Sequence, residues 1–147
     1  MLKVAEIELI YRSKVKASDR VKVCCSSDAY NVFKQYWNKD NLELLEEFKI
    51  LLLNRANKCL GIYDMSRGGV AGTVVDPKLL FTSALRAAAS GIIMCHNHPS
   101  GSLTASRQDI QLTKKMKAAG LLLDINLLDH IIITSEGYYS LADNFDF

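Results

Sequence analysis

Residues 90–134 read SGIIMCHNHPSGSLTASRQDIQLTKKMKAAGLLLDINLLDHIIIT. The run IIMC is short and apolar, which is typical of a strand buried inside a sheet. The stretch SRQDIQLTKKMKAAG has the spacing of an amphipathic helix that ends at Gly120, and INLLDHIIIT is a second buried strand. A helix between two buried strands indicates an α/β or α+β fold with a mixed sheet.

The segment before this stretch fits the same architecture. Residues 48–53 and 58–64 are predicted strands that flank the turn-like sequence NRAN, so together they form a hairpin. Asp76 can cap the start of a following helix, and Pro77 suits its first position. Gly91 is the predicted C-terminal stop of that helix.

The two ends of the chain add smaller elements. VAEIELIYRS (residues 4–13) alternates in places and predicts a strand, and residues 26–28 offer N-caps for an aromatic-rich helix. GYYSLA (residues 137–142) predicts a last short strand. We therefore expect an N-terminal strand and helix in residues 1–40, packed on a core domain in residues 41–147.

Composition is that of an ordinary globular domain, because 49% of the 147 residues are hydrophobic and 23% are charged. No apolar run approaches the ~20 residues of a membrane span, and Glu6 and Glu8 interrupt what would be the apolar part of a secretory signal. The four cysteines form no C-x-x-C pair, which favours free thiols in a reducing compartment. We expect a cytoplasmic protein with no membrane partner.

The net charge of +2 is far below that of a dedicated nucleic-acid binder. Residues 1–26 carry six basic and three acidic side chains and form a mildly basic arm. A solvated surface is the simpler interpretation of this arm, and a nucleic-acid patch is the alternative.

His96 and His98 follow the buried strand IIMC and are the most informative residues. Because strand side chains alternate, both point to the same side, and Pro99 ends the strand there. A catalytic zinc takes three protein ligands and leaves a position for water. Asp109 lies in the first turn of the helix that starts near Ser106, so it is the candidate third ligand.

Each part of this pattern also has another interpretation. Ser106 and Asp109 match a helix-capping pattern, a serine followed three residues later by an acid. The tripeptide HNH is not evidence for an HNH nuclease, whose residues are scattered over a larger motif. A zinc deaminase is excluded, because Asn97–His98 replaces the required His-x-Glu and the chain has no C-x-x-C.

The combined motif in residues 96–109, H-x-H-P followed after six residues by S-x-x-D, resembles the JAMM signature of the JAB/MPN+ metalloproteases. The strings HNHPSG, SRQD and LLDHII are similar to the RadC-like branch of that family. The resemblance extends over about residues 42–144. It implies a JAB/MPN-type fold, a cytidine-deaminase-like mixed β-sheet flanked by helices.

The resemblance also implies a role for each site residue. His96, His98 and Asp109 would bind Zn²⁺, and Glu46 would act as general base on a metal-activated water. Ser106 would orient the developing oxyanion or the metal ligands. The chemistry is sound on physical grounds, because a metal-bound water has a pKa of about 7 instead of about 15.7.

Glu47 is the alternative to Glu46. On an extended chain Glu46 shares one side with Phe48, and Glu47 shares the other side with Lys49. A lysine on that side suggests contact with solvent, so we expect Glu47 to be exposed and Glu46 to face the domain.

Three further residues have open roles. A histidine in an apolar strand is usually a hydrogen-bonded core residue, so His130 is expected in the core, with metal-ligand support or a substrate contact as the alternative. Asp129 beside it has no assigned role. Cys95 points away from the two histidines and is expected in the core.

Three functions follow from these patterns. The first is a zinc-dependent metallopeptidase acting on a peptide or protein substrate. The second is a DNA-repair or DNA-processing accessory of the RadC type, although residues 1–40 lack the Gly-rich hairpin that such relatives carry. The third is a non-catalytic MPN interaction module, which would have lost the ligands that this chain retains.

Overall fold

Residues 1–68, 75–144 and 146–147 are described by the computed structural model, and within them the chain forms one five-stranded sheet with three α-helices. The helices are α1 (Ser26–Tyr36), α2 (Pro77–Arg86) and α3 (Arg107–Leu122), and the strands are β1 (Glu47–Leu53), β2 (Cys59–Arg67), β3 (Gly91–Asn97), β4 (Asn126–Ile133) and β5 (Tyr138–Ser140). The prediction of a mixed fold of helices and strands is confirmed.

The strand order is β2-β1-β3-β4-β5. β1 runs antiparallel to both β2 and β3, and β4 runs antiparallel to β5. β3 and β4 are parallel, and α3 supplies the crossover that a parallel pair requires. In this register Phe48 of β1 lies opposite His96 of β3, so the end of β3 lies beside the start of β1.

Helices cover both faces of the sheet, which explains why β1 and β3 are buried along their whole length. One face packs on α2 and α3 through a cluster that includes Phe48, Ile50, Leu80, Phe81, Met94 and Met116. The other face packs on α1 through Phe33, Trp37, Leu51, Ile93, Cys95 and Ile131. Strand alternation thus assigns each residue of β3 to one of two cores.

The predicted hairpin is confirmed. The Asn54 side chain accepts hydrogen bonds from the backbone N–H groups of Ala56 and Lys58, both at 3.0 Å, which closes the turn. Asn57 takes a left-handed φ of 58°, a conformation that asparagine tolerates. β2 is longer than predicted and continues to Arg67.

Two glycines have a different role from the predicted one. α2 begins as expected, with the Asp76 carboxylate accepting from the Lys78 N–H, but it ends at Arg86 and not at Gly91. Gly91 begins β3, where a Cβ would lie 2.8 Å from the Leu128 side chain. α3 continues two residues past Gly120, where a Cβ would lie 2.3 Å from the Ile125 carbonyl oxygen. Both glycines provide space between packed elements.

The predicted N-terminal strand is wrong. Residues 4–13 contain no strand, and the side chains of Val4 and Ile7 are exposed. The segment is held by isolated contacts, in which Arg86 Nε–H donates to the Leu9 carbonyl and the Tyr11 hydroxyl donates to the Leu60 carbonyl. Alternation of apolar and polar residues does not by itself make a strand, because the backbone also needs a neighbouring strand to pair with.

α1 packs on one face of the sheet through Phe33, and it is not capped by residues 26–28. Its N-cap is Cys25, and the Asp28 carboxylate accepts from the Cys24 N–H at 2.8 Å.

The predicted domain boundary between residues 40 and 41 stays a prediction. Among the described residues, no helix combines the length and apolar character needed to cross a membrane.

Candidate metal centre

The end of β3 places two imidazoles on one side of the sheet. His96 is buried, and its ring stacks on that of Phe48 with centroids 5.7 Å apart and planes within 1° of parallel. His98 follows the strand and is partly buried. The chain then turns, with the Gly101 N–H donating to the His98 carbonyl at 2.9 Å and a φ of +83° at Gly101 that favours glycine.

The first turn of α3 brings a carboxylate to this pair. Asp109 Oδ1 lies 3.2 Å from His96 Nε2, and Asp109 Oδ2 lies 3.3 Å from His98 Nε2. The two Nε2 atoms are 2.9 Å apart. One ligand atom from each of the three residues lies within 4.8 Å of the others, so the group could hold a metal ion.

Ser106 and Asp109 also form a capping box. Ser106 Oγ accepts from the Asp109 N–H at 3.0 Å, and the Ser106 N–H donates to Asp109 Oδ2 at 2.8 Å. The capping interpretation of Ser106 and Asp109 is therefore confirmed, and the capped Asp109 carboxylate lies beside both histidines, so its role as a metal ligand stays a prediction. The cap fixes the rotamer that points the carboxylate at the histidines.

A chain of hydrogen bonds determines the tautomer of His96. The Thr113 hydroxyl donates to the Asp109 carbonyl oxygen at 2.7 Å, so it accepts from His130 Nδ1–H at 2.6 Å. His130 Nε2 is then an acceptor and receives His96 Nδ1–H at 2.8 Å. The lone pair of His96 Nε2 is therefore directed at Asp109.

His98 has the same tautomer for a different reason. Its Nδ1–H donates to the Ser102 carbonyl oxygen at 2.8 Å, which leaves a lone pair on Nε2. Two imidazole lone pairs and a carboxylate thus face one another, an arrangement that a cation stabilises. Two histidines and one carboxylate are a ligand set of catalytic zinc sites, so the residues fit such a metal.

The electrostatics of the group are consistent with cation binding. Burial raises the pKa of Asp109, but in the metal-free group the hydrogen bonds that His96 and His98 donate through Nε2–H when the rings carry an added proton outweigh burial and hold the pKa of Asp109 well below its usual value. The hydrogen bond to Asp109 raises the pKa of His98, with burial opposing. Burial lowers the pKa of His130 well below its usual value, which agrees with a neutral ring that accepts a hydrogen bond.

Glu46 directly precedes β1 and lies at the rim of this group. It lines an open groove together with His98, Pro99 and Ser106. Burial raises the pKa of Glu46, and the nearby His96 and His98 oppose that rise. Glu46 thus lies close enough to the two histidines for their charges to affect its pKa, and its role as general base stays a prediction.

The prediction that Glu47 is exposed is wrong. Glu47 is only 3% exposed, and Lys49, whose side was expected to meet solvent, is 5% exposed. Lys49 Nζ lies 3.5 Å from Glu47 Oε2 and 5.0 Å from the centroid of the Trp37 ring. Asn41 Nδ2 donates to Glu47 Oε1 at 2.9 Å. Trp37, directly after α1, and Asn41 in the following turn cover these two side chains, so the charges are held as a buried pair.

The remaining residues are placed as follows. Cys95 is fully buried on the α1 face, as predicted. The Asp129 carboxylate faces away from the histidines and accepts from Ser140 Oγ at 2.6 Å and the Ala142 N–H at 3.1 Å, which fastens the C-terminal turn. His130 is a buried core residue, as expected, and it also supports His96 directly, which was the alternative.

Two residues at this site were missed from the sequence. Thr113 lies one helical turn beyond Asp109, a spacing that places both on the same face of α3. Asn97 lies between the two histidines, and its side chain points to the opposite face of β3. The spacing could have identified Thr113, whereas the contacts of Asn97 depend on a turn whose path the sequence does not reveal.

Comparisons with known proteins identify the family of this chain. A family model described as RadC-like JAB domain matches residues 23–145. The chain is similar to a protein named UPF0758 from Flavobacterium johnsoniae, 44% identical over 142 residues that cover 95% of this chain and 60% of the relative. A UPF0758 protein from Clostridium beijerinckii is 35% identical over 143 residues, covering 97% of this chain and 61% of the relative.

A UPF0758 protein from Porphyromonas gingivalis is 46% identical over 99 residues, which cover 67% of this chain and 44% of the relative. The chain thus spans about 60% of the length of the first two curated relatives. The family match covers most of the chain and includes His96, His98 and Asp109. The chain belongs to the RadC-like JAB domain family.

Proposed function

We propose that this chain is a zinc-dependent hydrolase of the JAMM type, and specifically a metallopeptidase that cleaves an amide bond in a peptide or protein. The observation that carries the proposal is the convergence of His96 Nε2, His98 Nε2 and the Asp109 carboxylate within 4.8 Å, with Glu46 at the adjoining groove. Membership of the RadC-like JAB domain family supports it.

His96, His98 and Asp109 would hold the ion. When bound, zinc supplies a Lewis acid for the scissile carbonyl and a water whose pKa is about 7. The open groove leaves room for that water and for an extended substrate. The hydrogen bonds of His96 to His130 and of His98 to Ser102 keep both Nε2 lone pairs available for the ion.

Glu46 would move the proton. Its carboxylate accepts a proton from the attacking water and returns it to the leaving amine. The partial burial that raises its pKa makes it a better base than an exposed glutamate. Ser106 Oγ accepts from the Asp109 N–H, and its own O–H remains able to donate to the carbonyl oxygen as negative charge develops there.

The proposal is tested by metal analysis and peptidase assays on protein purified without chelators. We expect about one zinc per chain and hydrolysis of peptides in a casein digest followed by mass spectrometry. Glu46→Gln should keep the zinc and lower kcat by about 100-fold or more. Glu8→Gln, the same change on the exposed N-terminal segment, is the matched control and should behave as wild type.

A role in DNA processing is the second candidate. It is favoured by one observation, the exposure of five of the six basic residues between residues 1 and 26. If this surface binds duplex DNA, the affinity should fall steeply with salt, because each neutralised phosphate releases counterions. A gel-shift series from 50 to about 200 mM salt that detects no binding would remove this candidate.

A further inference from the structure

We propose that Asn97 is a positioning residue that holds Glu46 at a fixed place beside His96 and His98. The inference rests on the proposed function, because it concerns the proposed general base. It gives a role to the middle residue of the HNH sequence, whose side chain is on the other side of the strand from the histidines.

The Asn97 side chain is fully buried, and its amide makes three hydrogen bonds to one short segment of backbone. Its Oδ1 accepts from the Glu47 N–H at 2.7 Å. Its Nδ2 donates to the carbonyl oxygens of Leu45 and Leu42, both at 2.9 Å. Two of these three partners are the residues directly before and after Glu46.

Only an amide suits this position. The segment offers two carbonyl acceptors and one N–H donor, so the side chain must present two donors and one acceptor. Aspartate has nearly the same shape but would direct an acceptor at the two carbonyl oxygens. Leucine would remove the partner of the buried Glu47 N–H and of two partly buried carbonyl oxygens, which is costly.

The anchor of Asn97 is rigid. Asn97 is the last residue of β3 and pairs with Ile133 of the parallel neighbour β4. On the other side, the Gly68 N–H donates to the Glu46 carbonyl oxygen at 2.9 Å. The backbone of Glu46 is thus fixed from both sides. Asn97 lies between His96 and His98 in the chain, so it links the position of Glu46 to the positions of the two histidines.

The test begins with the wild-type protein. Hydrogen exchange measured by NMR should find the Asn97 side-chain NH₂ and the Glu47 backbone N–H strongly protected. Exchange of these protons at the rate of an exposed amide would overturn the inference, and this measurement requires neither metal nor activity.

The variants Asn97→Asp and Asn97→Ser then separate positioning from general stability. Each should raise hydrogen exchange in residues 42–47 while the exchange of β4 stays unchanged. Zinc affinity should stay within about threefold of wild type, because neither substitution removes a residue that would bind the zinc directly. Asn126→Asp, the same change at the exposed start of β4, is the matched control and should alter none of these quantities.

Kinetics provide the final comparison. On the casein-digest peptides Asn97→Asp should lower kcat by about 100-fold with little change in KM, and adding it to Glu46→Gln should cause no further loss. Additive losses, or a kcat near wild type in both Asn97 variants, would overturn the inference. A wild-type protein that binds no zinc and cleaves no peptide would refute the proposed function instead, and the exchange measurements would still decide whether Asn97 fixes the segment.

Discussion

At the residue scale, the tautomer of one histidine connects the core to the site. His130 was expected in the core because it lies in an apolar strand, and it is fully buried. Its contacts to Thr113 and His96 also direct the Nε2 lone pair of His96 toward Asp109. A buried side chain therefore has both a packing role and a chemical role at this position.

Replacing His130 by phenylalanine should weaken zinc binding by about 10- to 100-fold, because the hydrogen-bond acceptor for His96 Nδ1–H is lost. Competition with a fluorescent chelator measures the affinity. Thr113→Val removes the hydrogen bond between the Thr113 hydroxyl and His130 Nδ1 and keeps the side-chain volume. It should weaken zinc binding by a smaller factor. Equal affinity in wild type and His130→Phe would mean that the tautomer is set by other contacts.

The neighbouring glutamates should respond differently to the same substitution. Glu47→Gln removes the charge that faces buried Lys49, so we expect a loss of about 1–3 kcal/mol in the free energy of unfolding. Zinc binding should be unchanged, because Glu47 faces α1. Urea unfolding and metal analysis of Glu47→Gln beside Glu46→Gln measure both quantities. A stability loss confined to Glu46→Gln would reverse the two assignments.

At the element scale, α3 aligns the site because both of its ends are fixed. Its N-terminus is closed by the Ser106–Asp109 capping box. Near its C-terminus Gly120 lets the backbone of Ile125 approach, and the Ile125 N–H donates to the Gly120 carbonyl at 2.9 Å. These contacts set the position of α3 between β3 and β4.

Gly120→Ala tests this account of α3, because two effects oppose each other. Helix propensity alone favours alanine by about 1 kcal/mol. The added Cβ would lie 2.3 Å from a backbone oxygen, and such overpacking costs about 1–3 kcal/mol or more. We expect net destabilisation in urea unfolding, whereas a more stable variant would show that the connection relaxes freely.

The sequence predicted the elements with strong periodicity and the grouping of His96, His98 and Asp109, and it failed where packing between separate segments decides. β3, α3 and β4 were predicted because their patterns are local. The exposure of Glu47 was mispredicted, since burial there depends on packing against Asn41 and Trp37, which strand alternation does not reveal. The N-terminal strand was mispredicted for the same reason, because pairing requires a partner strand that alternation cannot reveal.

At the scale of the whole molecule, metal binding, protonation and stability should be linked. In the metal-free protein the hydrogen bond to Asp109 raises the pKa of His98 above 6.5. The protonated ring therefore contributes stability at low pH, and that contribution is lost as the pH rises through the raised pKa. Zinc requires the neutral ring, so its affinity should rise over the same interval.

The increase in melting temperature caused by a fixed zinc concentration should therefore grow with pH and level off above the pKa of His98. Thermal unfolding at several pH values, with and without zinc, measures this difference. His98→Ala should abolish the increase in melting temperature. A zinc effect that is independent of pH in the wild type would contradict direct competition between zinc and a proton at His98.

The central claim is that His96, His98 and Asp109 form one metal site, and anomalous diffraction at the zinc absorption edge tests it most directly. Crystals of protein purified without chelators should contain a single strong peak, with His96 Nε2, His98 Nε2 and an Asp109 oxygen about 2.0–2.2 Å from the ion. Crystals of Asp109→Asn should lose most of that peak. A zinc-loaded wild-type crystal with no peak between these three residues, or with the ion bound elsewhere, would contradict the account.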